Sequence, residues 1–172
     1  SEHTREIVVS DGVAFFVADT SRSLLPDWRR RDTYVWANTR RANPDWGWKG
    51  RSRKILAYDA GSGRSLWQAE APVAPCSLAV DAKRAIFHDG QKLVCLDRHS
   101  GERLWEGESA PTALPVETKT GPRVLIYKNV ILFGGNDGKM SGWSVEDGKK
   151  LWEQKKKPSG HQSLKDLFVV QG

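Results

Sequence analysis

The chain has 172 residues, of which 38% are hydrophobic, and its eight tryptophans accompany a formal net charge of +6. This composition is typical of a globular protein, and the length is sufficient for one ordinary core. No apolar run approaches the roughly 20 residues that a membrane-spanning helix requires. The composition therefore argues against a disordered chain and predicts no membrane span.

The first 70 residues predict an antiparallel unit of strands. Two apolar runs, residues 7–9 and 13–17, flank a polar Asp-Gly turn and are typical of a β-hairpin. Residues 54–58 predict a third strand. After a glycine-containing turn, Leu66 and Trp67 begin a fourth strand.

Between the second and third strands lies an insertion of about 34 residues, 20–53, where a tight turn would suffice. It contains nine basic and three acidic residues, so its net charge of +6 equals that of the whole chain. Guanidinium groups and flat rings together bind phosphate, carboxylate or sulfate groups and stack on bases or sugars. We therefore predict an interaction surface for a protein or an anionic ligand, formed by Trp28, Arg29, Arg30, Arg31, Trp36, Arg40, Arg41, Trp46 and Trp48.

Two other interpretations of the insertion remain open. Its rings could pack on the folded body with arginines stacked over them, which would hold a long loop in place. Alternatively, the segment is a polyanion-binding module. In that case affinity should fall steeply with salt and drop when Arg29, Arg30 and Arg31 are replaced by alanine.

A pattern of eleven residues occurs three times, at 57–67, 95–105 and 142–152, and ends each time in Leu-Trp. The final tryptophans are spaced by 38 and 47 residues, which suits one four-stranded sheet and its loops. We predict an all-β β-propeller fragment of three four-stranded antiparallel blades plus the first strand of a further blade. The predicted bounds are about 5–70 with the insertion 20–53, about 76–108, about 122–155, and 163–172 for the further strand.

The turn within each repeat is specified locally. Asp59 and Asp97 are placed to accept hydrogen bonds from the amides of the turn. Gly63, Gly101 and Gly148 follow, and glycine adopts positive φ without steric penalty. These five residues are predicted to be structural.

The repeat resembles the pyrroloquinoline-quinone-like β-propeller superfamily, whose docking motif is Ala-x-Asp-x-x-Thr-Gly-Lys-x-x-Trp. The first copy matches closely, with Ser62 for the threonine and Arg64 for the lysine. The second copy has Cys95 and Glu102 instead of the alanine and lysine, whereas the third departs from the motif at three positions, Gly142, Ser144 and Asp147.

The resemblance implies that Trp67, Trp105 and Trp152 each dock against the next blade. A large flat side chain with a single hydrogen-bond donor suits a buried seam between sheets. Loss of such a ring should cost about 3–5 kcal/mol of stability.

Three blades do not close a ring, because propellers contain about four to eight. The chain is therefore expected to be a fragment of a longer propeller. Its partners would be the remaining blades or a second chain that completes the ring, and self-association is expected.

Dehydrogenases of this superfamily hold pyrroloquinoline quinone with calcium at the propeller axis, and commonly stack the quinone on a disulfide between adjacent cysteines. Here Cys76 and Cys95 are 19 residues apart, and either a disulfide or two free thiols would fit the sequence. No catalytic, cofactor-binding or metal-binding residue is predicted, and no cofactor is expected.

The sequence thus favours a non-catalytic propeller segment that acts as a scaffold for protein or ligand interaction. The principal alternative is a fragment of a quinoprotein dehydrogenase, with pyrroloquinoline quinone and calcium as its cofactors. The resemblance implies a periplasmic or otherwise extracytoplasmic location.

Overall fold

The structure, a computed structural model, describes residues 3–19, 48, 50–113, 116 and 121–155. Over these residues the chain forms three four-stranded antiparallel sheets. The prediction of an all-β chain with three blades is therefore confirmed. The predicted strand at 163–172 lies outside the described residues. A search of the described part found no helix of the length and apolarity needed to cross a membrane.

Each sheet is built from four strands that are consecutive in the sequence. The first sheet contains β1 (His3–Ser10), β2 (Val13–Asp19), β3 (Arg53–Asp59) and β4 (Ser65–Ala71). The second sheet contains β5 (Ala79–Val80), β6 (Arg84–His88), β7 (Lys92–Asp97) and β8 (Arg103–Ser109). The third sheet contains β9 (Arg123–Tyr127), β10 (Val130–Gly134), β11 (Lys139–Ser144) and β12 (Lys150–Lys155).

Alternation of side chains along the strands places apolar faces between neighbouring sheets. Phe15 and Trp67 of the first sheet pack with Phe87 of the second. On the opposite face of the second sheet, Ile86 packs with Trp143 of the third. The second sheet is therefore covered on both faces, and each outer sheet is covered on one.

The first strands of the three sheets lie on a common side. β5 contacts both β1 and β9, whereas β4, β8 and β12 form the opposite edges of their sheets. Innermost strands that meet near an axis are the arrangement of a propeller. Residues of β5 are thereby brought close to residues of β1 and of β9.

The two cysteines, Cys76 and Cys95, are both free thiols. Cys95 is buried in the second sheet, and burial raises the pKa of its thiol to about 12. Of the two alternatives that the sequence left open, the structure favours free thiols.

Candidate functional site

The repeated turn has the same backbone hydrogen bond in each sheet. The glycine N–H donates to a carbonyl four residues earlier: Gly63 to Asp59 at 2.8 Å, Gly101 to Asp97 at 2.9 Å and Gly148 to Ser144 at 3.0 Å. These glycines have φ values of 71°, 75° and 67°. Glycine is needed because other residues are strained in this region.

Carboxylates hold the first two turns in shape. Asp59 Oδ1 accepts bonds from the Ser62 N–H at 2.7 Å and from the Ser62 hydroxyl at 2.6 Å. Asp97 Oδ1 accepts from the N–H groups of His99 and Ser100, both at 2.8 Å. These bonds lower the pKa of both carboxyl groups.

Trp67 joins the first sheet to the second. Its Nε1 donates to the carbonyl of Arg98 at 2.7 Å, and its ring is only 8% exposed. The ring lies over Gly101, where a Cβ atom would stand 2.6 Å from the indole. The glycine therefore provides both the φ of the turn and the space for the ring.

Trp105 makes the equivalent contact between the second and third sheets. Its Nε1 donates to the carbonyl of Val145 at 3.2 Å, and its ring lies over Gly148. Arg98 and Val145 occupy the same position, one residue after the start of their turns. The two junctions thus share one geometry.

Trp152 differs from the other two tryptophans of the repeat. It is 38% exposed, and its ring lies against Gly142 of its own sheet. No sheet follows it among the described residues, and its Nε1 has no hydrogen-bond acceptor there. The three motif tryptophans are therefore not equivalent.

Arg98 is a buried cation that ties the second sheet to the first. Its guanidinium donates to the carbonyls of Ser10 and Asp81, each at 2.6 Å, and lies over the ring of Phe15 at 5.5 Å. Asp11 forms an ion pair with it at 3.5 Å. The repeat does not predict this role, because the equivalent positions are occupied by other residue types.

The end of the insertion packs on the segments that connect β4 to β5 and β8 to β9. Trp48 is 6% exposed and contacts Val116 and Ala74. The guanidinium of Arg53 lies 5.9 Å from the Trp48 ring and donates to the carbonyl of Val73 at 3.0 Å. Trp48 thus packs in the body, as the packing alternative describes, and its part in an interaction surface stays a prediction.

The other members of the predicted interaction surface lie outside the described residues: Trp28, Arg29, Arg30, Arg31, Trp36, Arg40, Arg41 and Trp46.

Glu6 of β1 reaches the segment that precedes β5 of the second sheet. One carboxylate oxygen accepts the N–H of Leu78 at 3.1 Å. Its other oxygen is buried and has no hydrogen-bond partner in the described part. Burial raises the pKa of Glu6 from 4.5 to about 7, although the Leu78 amide and the charges of Arg123 and Arg53 oppose this shift. The sequence offered no signal for it beyond a carboxylate within a strand.

We expect Glu6→Gln to remove part of the pH dependence of stability. Between pH 4.5 and 7 the Glu6 carboxyl ionises in the unfolded chain but stays protonated in the folded one. The contribution of Glu6 to the free energy of unfolding is therefore fully present below pH 4.5. It is lost as pH rises to 7 and above, by up to about 3 kcal/mol. Urea unfolding at pH 4.5 and pH 8 should show the variant gaining stability relative to wild type at the higher pH.

The exposed carboxylate Glu102 supplies the control for this measurement. Glu102→Gln removes the same charge from a turn. Its free energy of unfolding should change between pH 4.5 and pH 8 by the same amount as that of wild type. If the free energies of unfolding of wild type and Glu6→Gln changed equally between pH 4.5 and pH 8, burial would not raise the pKa of Glu6.

His88 is buried in the second sheet with a defined tautomer. Gly90 N–H donates to Nδ1 at 3.0 Å, so the proton resides on Nε2, which donates to the carbonyl of Ala110 at 2.7 Å. The ring stacks on Phe133 at 5.0 Å. Burial lowers the pKa of His88 despite the bond to Ala110. The contribution of His88 to the free energy of unfolding is thus present above its ordinary pKa and is lost as pH falls. Its pH dependence is therefore opposite in direction to that of Glu6.

Among residues 3–19, 48, 50–113, 116 and 121–155, no group of three or more histidine, cysteine, aspartate or glutamate side chains is suited to hold a metal ion. The buried side chains of Arg53, His88 and Arg98 each bond to backbone carbonyls, and Arg53 also forms an ion pair with the buried Asp19 at 3.9 Å.

Comparison with known proteins places the chain in a family. A family profile described as outer membrane protein assembly factor BamB matches residues 45–169. The quinohemoprotein alcohol dehydrogenase ADH IIB of Pseudomonas putida is 28% identical over 116 residues, which cover 58% of this chain and 17% of the relative. The chain thus spans less than a fifth of the curated relative that it matches.

Solved structures with this fold include BamB from Moraxella catarrhalis, with a TM-score of 0.58 over 95% of this chain and 37% of that one, at 16% identity. Quinohemoprotein alcohol dehydrogenase from Comamonas testosteroni has a TM-score of 0.52 over 88% of this chain and 21% of that one, at 16% identity. These likenesses show the β-propeller fold alone. Since the profile covers more than half of its residues, the chain belongs to the family described as outer membrane protein assembly factor BamB, within the pyrroloquinoline-quinone-like β-propeller superfamily.

Proposed function

We propose that the chain is a non-catalytic β-propeller segment that acts as a scaffold for protein or ligand interaction. The observation that carries this proposal is the use of its buried charged and polar side chains. Arg98 and Arg53 donate to backbone carbonyls of neighbouring segments, and both ring nitrogens of His88 bond to backbone groups. Side chains that are bonded in this way stabilise packing.

The scaffold has two proposed contact regions. The basic, tryptophan-rich insertion 20–53 is proposed to contact a protein or an anionic ligand, supported by its net charge of +6. The outer faces of the first and third sheets are proposed to contact the remaining blades of a longer propeller or a second chain. In this proposal Trp67 and Trp105 are the docking residues between neighbouring blades.

Family membership also supports a proposed location. Its description names an outer membrane protein assembly factor. On this ground we propose a periplasmic or otherwise extracytoplasmic location.

A second candidate function is favoured by one comparison, the relative named as a quinohemoprotein alcohol dehydrogenase. In this alternative the chain is part of a quinoprotein dehydrogenase that binds pyrroloquinoline quinone with calcium. The described residues contain no group of three or more histidine, cysteine, aspartate or glutamate side chains suited to hold a metal ion, so in this alternative the cofactor's ligands would lie largely in other blades. Cys76 and Cys95 are also not adjacent in the sequence.

A titration with pyrroloquinoline quinone and calcium distinguishes the two functions. Tryptophan fluorescence of the full chain is followed as quinone is added with calcium, and again with a chelator. A free tryptophan derivative at matched absorbance corrects for light absorbed by the quinone. The scaffold proposal predicts only the unsaturable loss seen with the free derivative. Saturable, calcium-dependent quenching at micromolar concentration would contradict it and support the dehydrogenase fragment.

A further inference from the structure

The ring of Trp48 lies on the turn between β6 and β7. A Cβ atom at Gly90 would stand 3.0 Å from Cζ3 of the indole, and Gly90 has a φ of 103°. Glycine therefore provides both the backbone conformation of this turn and the space for the ring. Because Trp48 belongs to the insertion 20–53, the contact attaches the insertion to the second sheet.

Further contacts hold Trp48 in this place. Its backbone N–H donates to the carbonyl of Val116 at 2.8 Å, and its Nε1 donates to the carbonyl of Arg51 at 3.1 Å. The buried ring also packs with Ala74. We refer to Ala74 and Gly90 together as the platform of Trp48.

His88 is bonded to both parts of this platform. Its Nδ1 accepts the Gly90 N–H at 3.0 Å, and its backbone carbonyl accepts the Ala74 N–H at 2.8 Å. The Ser77 hydroxyl donates to the Ala74 carbonyl at 2.8 Å and accepts the His88 N–H at 3.2 Å. One buried histidine therefore supports the surface on which Trp48 lies.

The bond between His88 and Gly90 requires a neutral imidazole. In the neutral ring Nε2 carries the proton and donates to the Ala110 carbonyl at 2.7 Å, so Nδ1 has a lone pair for the Gly90 N–H. In the imidazolium both ring nitrogens carry protons, and neither can accept a hydrogen bond. Two N–H groups would then face each other across 3.0 Å, and the turn would have to rotate the Gly90 amide away.

The groups around the His88 ring determine how easily it is protonated. Phe133 of β10 stacks on the ring, and Ser77 lies on the segment before β5; both are uncharged. The Ala110 carbonyl and the carboxylate of Asp89, the charged neighbour, favour the protonated ring. Burial favours the neutral ring and is the largest of these effects, so the pKa of His88 lies below its ordinary value.

We propose that His88 is a pH-sensitive support for Trp48, and that protonation of its Nδ1 releases the Gly90 amide and loosens the attachment of the insertion to the second sheet. The parts of this device, Trp48, Ala74, His88 and Gly90, lie in and beside the second sheet, which another sheet covers on each face. As a consequence, acid would regulate the contact region proposed for the insertion 20–53. That consequence rests on the proposed function, whereas the coupling of His88 to Trp48 does not.

The pKa of the His88 ring tests the coupling, because coupling between two sites is reciprocal. NMR titration of the full chain measures this pKa in wild type and in Trp48→Ala. Removal of the indole uncovers Gly90 to water, so the pKa of His88 should rise toward its ordinary value of 6.5. The control Trp152→Ala removes a ring that lies against Gly142 of the third sheet, and it should leave the pKa of His88 unchanged.

The indole N–H of Trp48 reports the same event from the other partner. Its resonance is the one that is absent from Trp48→Ala. As pH falls, this resonance should shift with the midpoint measured for the His88 ring. The indole resonances of Trp67 and Trp105, which are bonded to carbonyls between the sheets, should not shift at that midpoint and thereby show that the fold is intact.

Two histidine variants separate this support from general effects of acid. An asparagine side chain accepts the backbone N–H two residues further on and does not titrate. His88→Asn should therefore keep the Gly90 amide bonded and the Trp48 resonance constant as pH falls. His99→Gln removes an exposed histidine from the turn after β7 and should behave like wild type.

Equal pKa values of His88 in wild type and Trp48→Ala would overturn the coupling, and so would a His88 ring that stays neutral in both until the chain unfolds. An acid transition of Trp48 that persists in His88→Asn would do the same. If His88→Asn does not fold, the comparison of wild type with Trp48→Ala decides alone. None of these results would affect the scaffold proposal, which is decided by the quinone titration.

Discussion

Replacing Trp67 by alanine is expected to lower the free energy of unfolding by about 3–5 kcal/mol, the range for a buried tryptophan truncated to alanine. The ring fills the seam between the first two sheets and contacts Phe15 at a centroid distance of 5.9 Å. Its removal also leaves the Arg98 carbonyl without the indole donor. Urea unfolding followed by circular dichroism measures the loss.

Trp152→Ala is the matched control, because it removes the same side chain at the same position of the repeat. Trp152 is more exposed and makes no inter-sheet hydrogen bond among the described residues, so its loss should be below about 1.5 kcal/mol. The protein is kept dilute so that association does not contribute. Equal losses in the two variants would show that the seam at Trp67 contributes no special stability.

Gly101→Ala is expected to be the second strongly destabilising substitution, at about 2–5 kcal/mol. Alanine is strained at a φ of 75°, which accounts for about 1–2 kcal/mol. The added Cβ would also stand 2.6 Å from the Trp67 ring, and such overpacking costs about 1–3 kcal/mol. Urea unfolding of the variant measures the sum.

Gly12→Ala separates the two contributions. Gly12 has the same φ of 75°, but no atom of the residues that the structure describes lies within 4 Å of the position of its Cβ. The control should therefore lose only about 1–2 kcal/mol from backbone strain. If Gly101→Ala lost no more than Gly12→Ala, the Trp67 ring would have to shift without penalty, and the close approach would not be a constraint.

The repeat made most of the architecture predictable. Residues that recur in every repeat indicate contacts that every sheet makes. The turn glycines and the motif tryptophans recur in this way. The glycine at 101 could be placed in a turn from the sequence. Its second role, as a platform for the ring of Trp67, depends on a neighbouring sheet and is visible only in three dimensions.

The residues that the sequence analysis did not identify, Arg98 and Glu6, are not part of the repeated pattern. Arg98 takes a position that is Ala60 in one repeat and Val145 in another, so no pattern identifies it as a buried cation. Glu6 resembles an ordinary polar residue of a strand, yet it reaches the Leu78 amide 72 residues further along the chain. Contacts of this range depend on how the first strands of separate sheets converge, which local composition does not encode.

The coverage of the second sheet on both faces has a consequence for how the molecule opens. In an array where each sheet contacts only its neighbours, each sheet is stabilised by its interfaces with them. The sheet with two interfaces is therefore the last to unfold. Backbone amides of β6 and β7 should therefore exchange with solvent deuterium most slowly, and those of β1 and β12 earlier. Unfolding would proceed inward from the two ends of the array toward Ile86 and Leu93, which are fully buried at its centre.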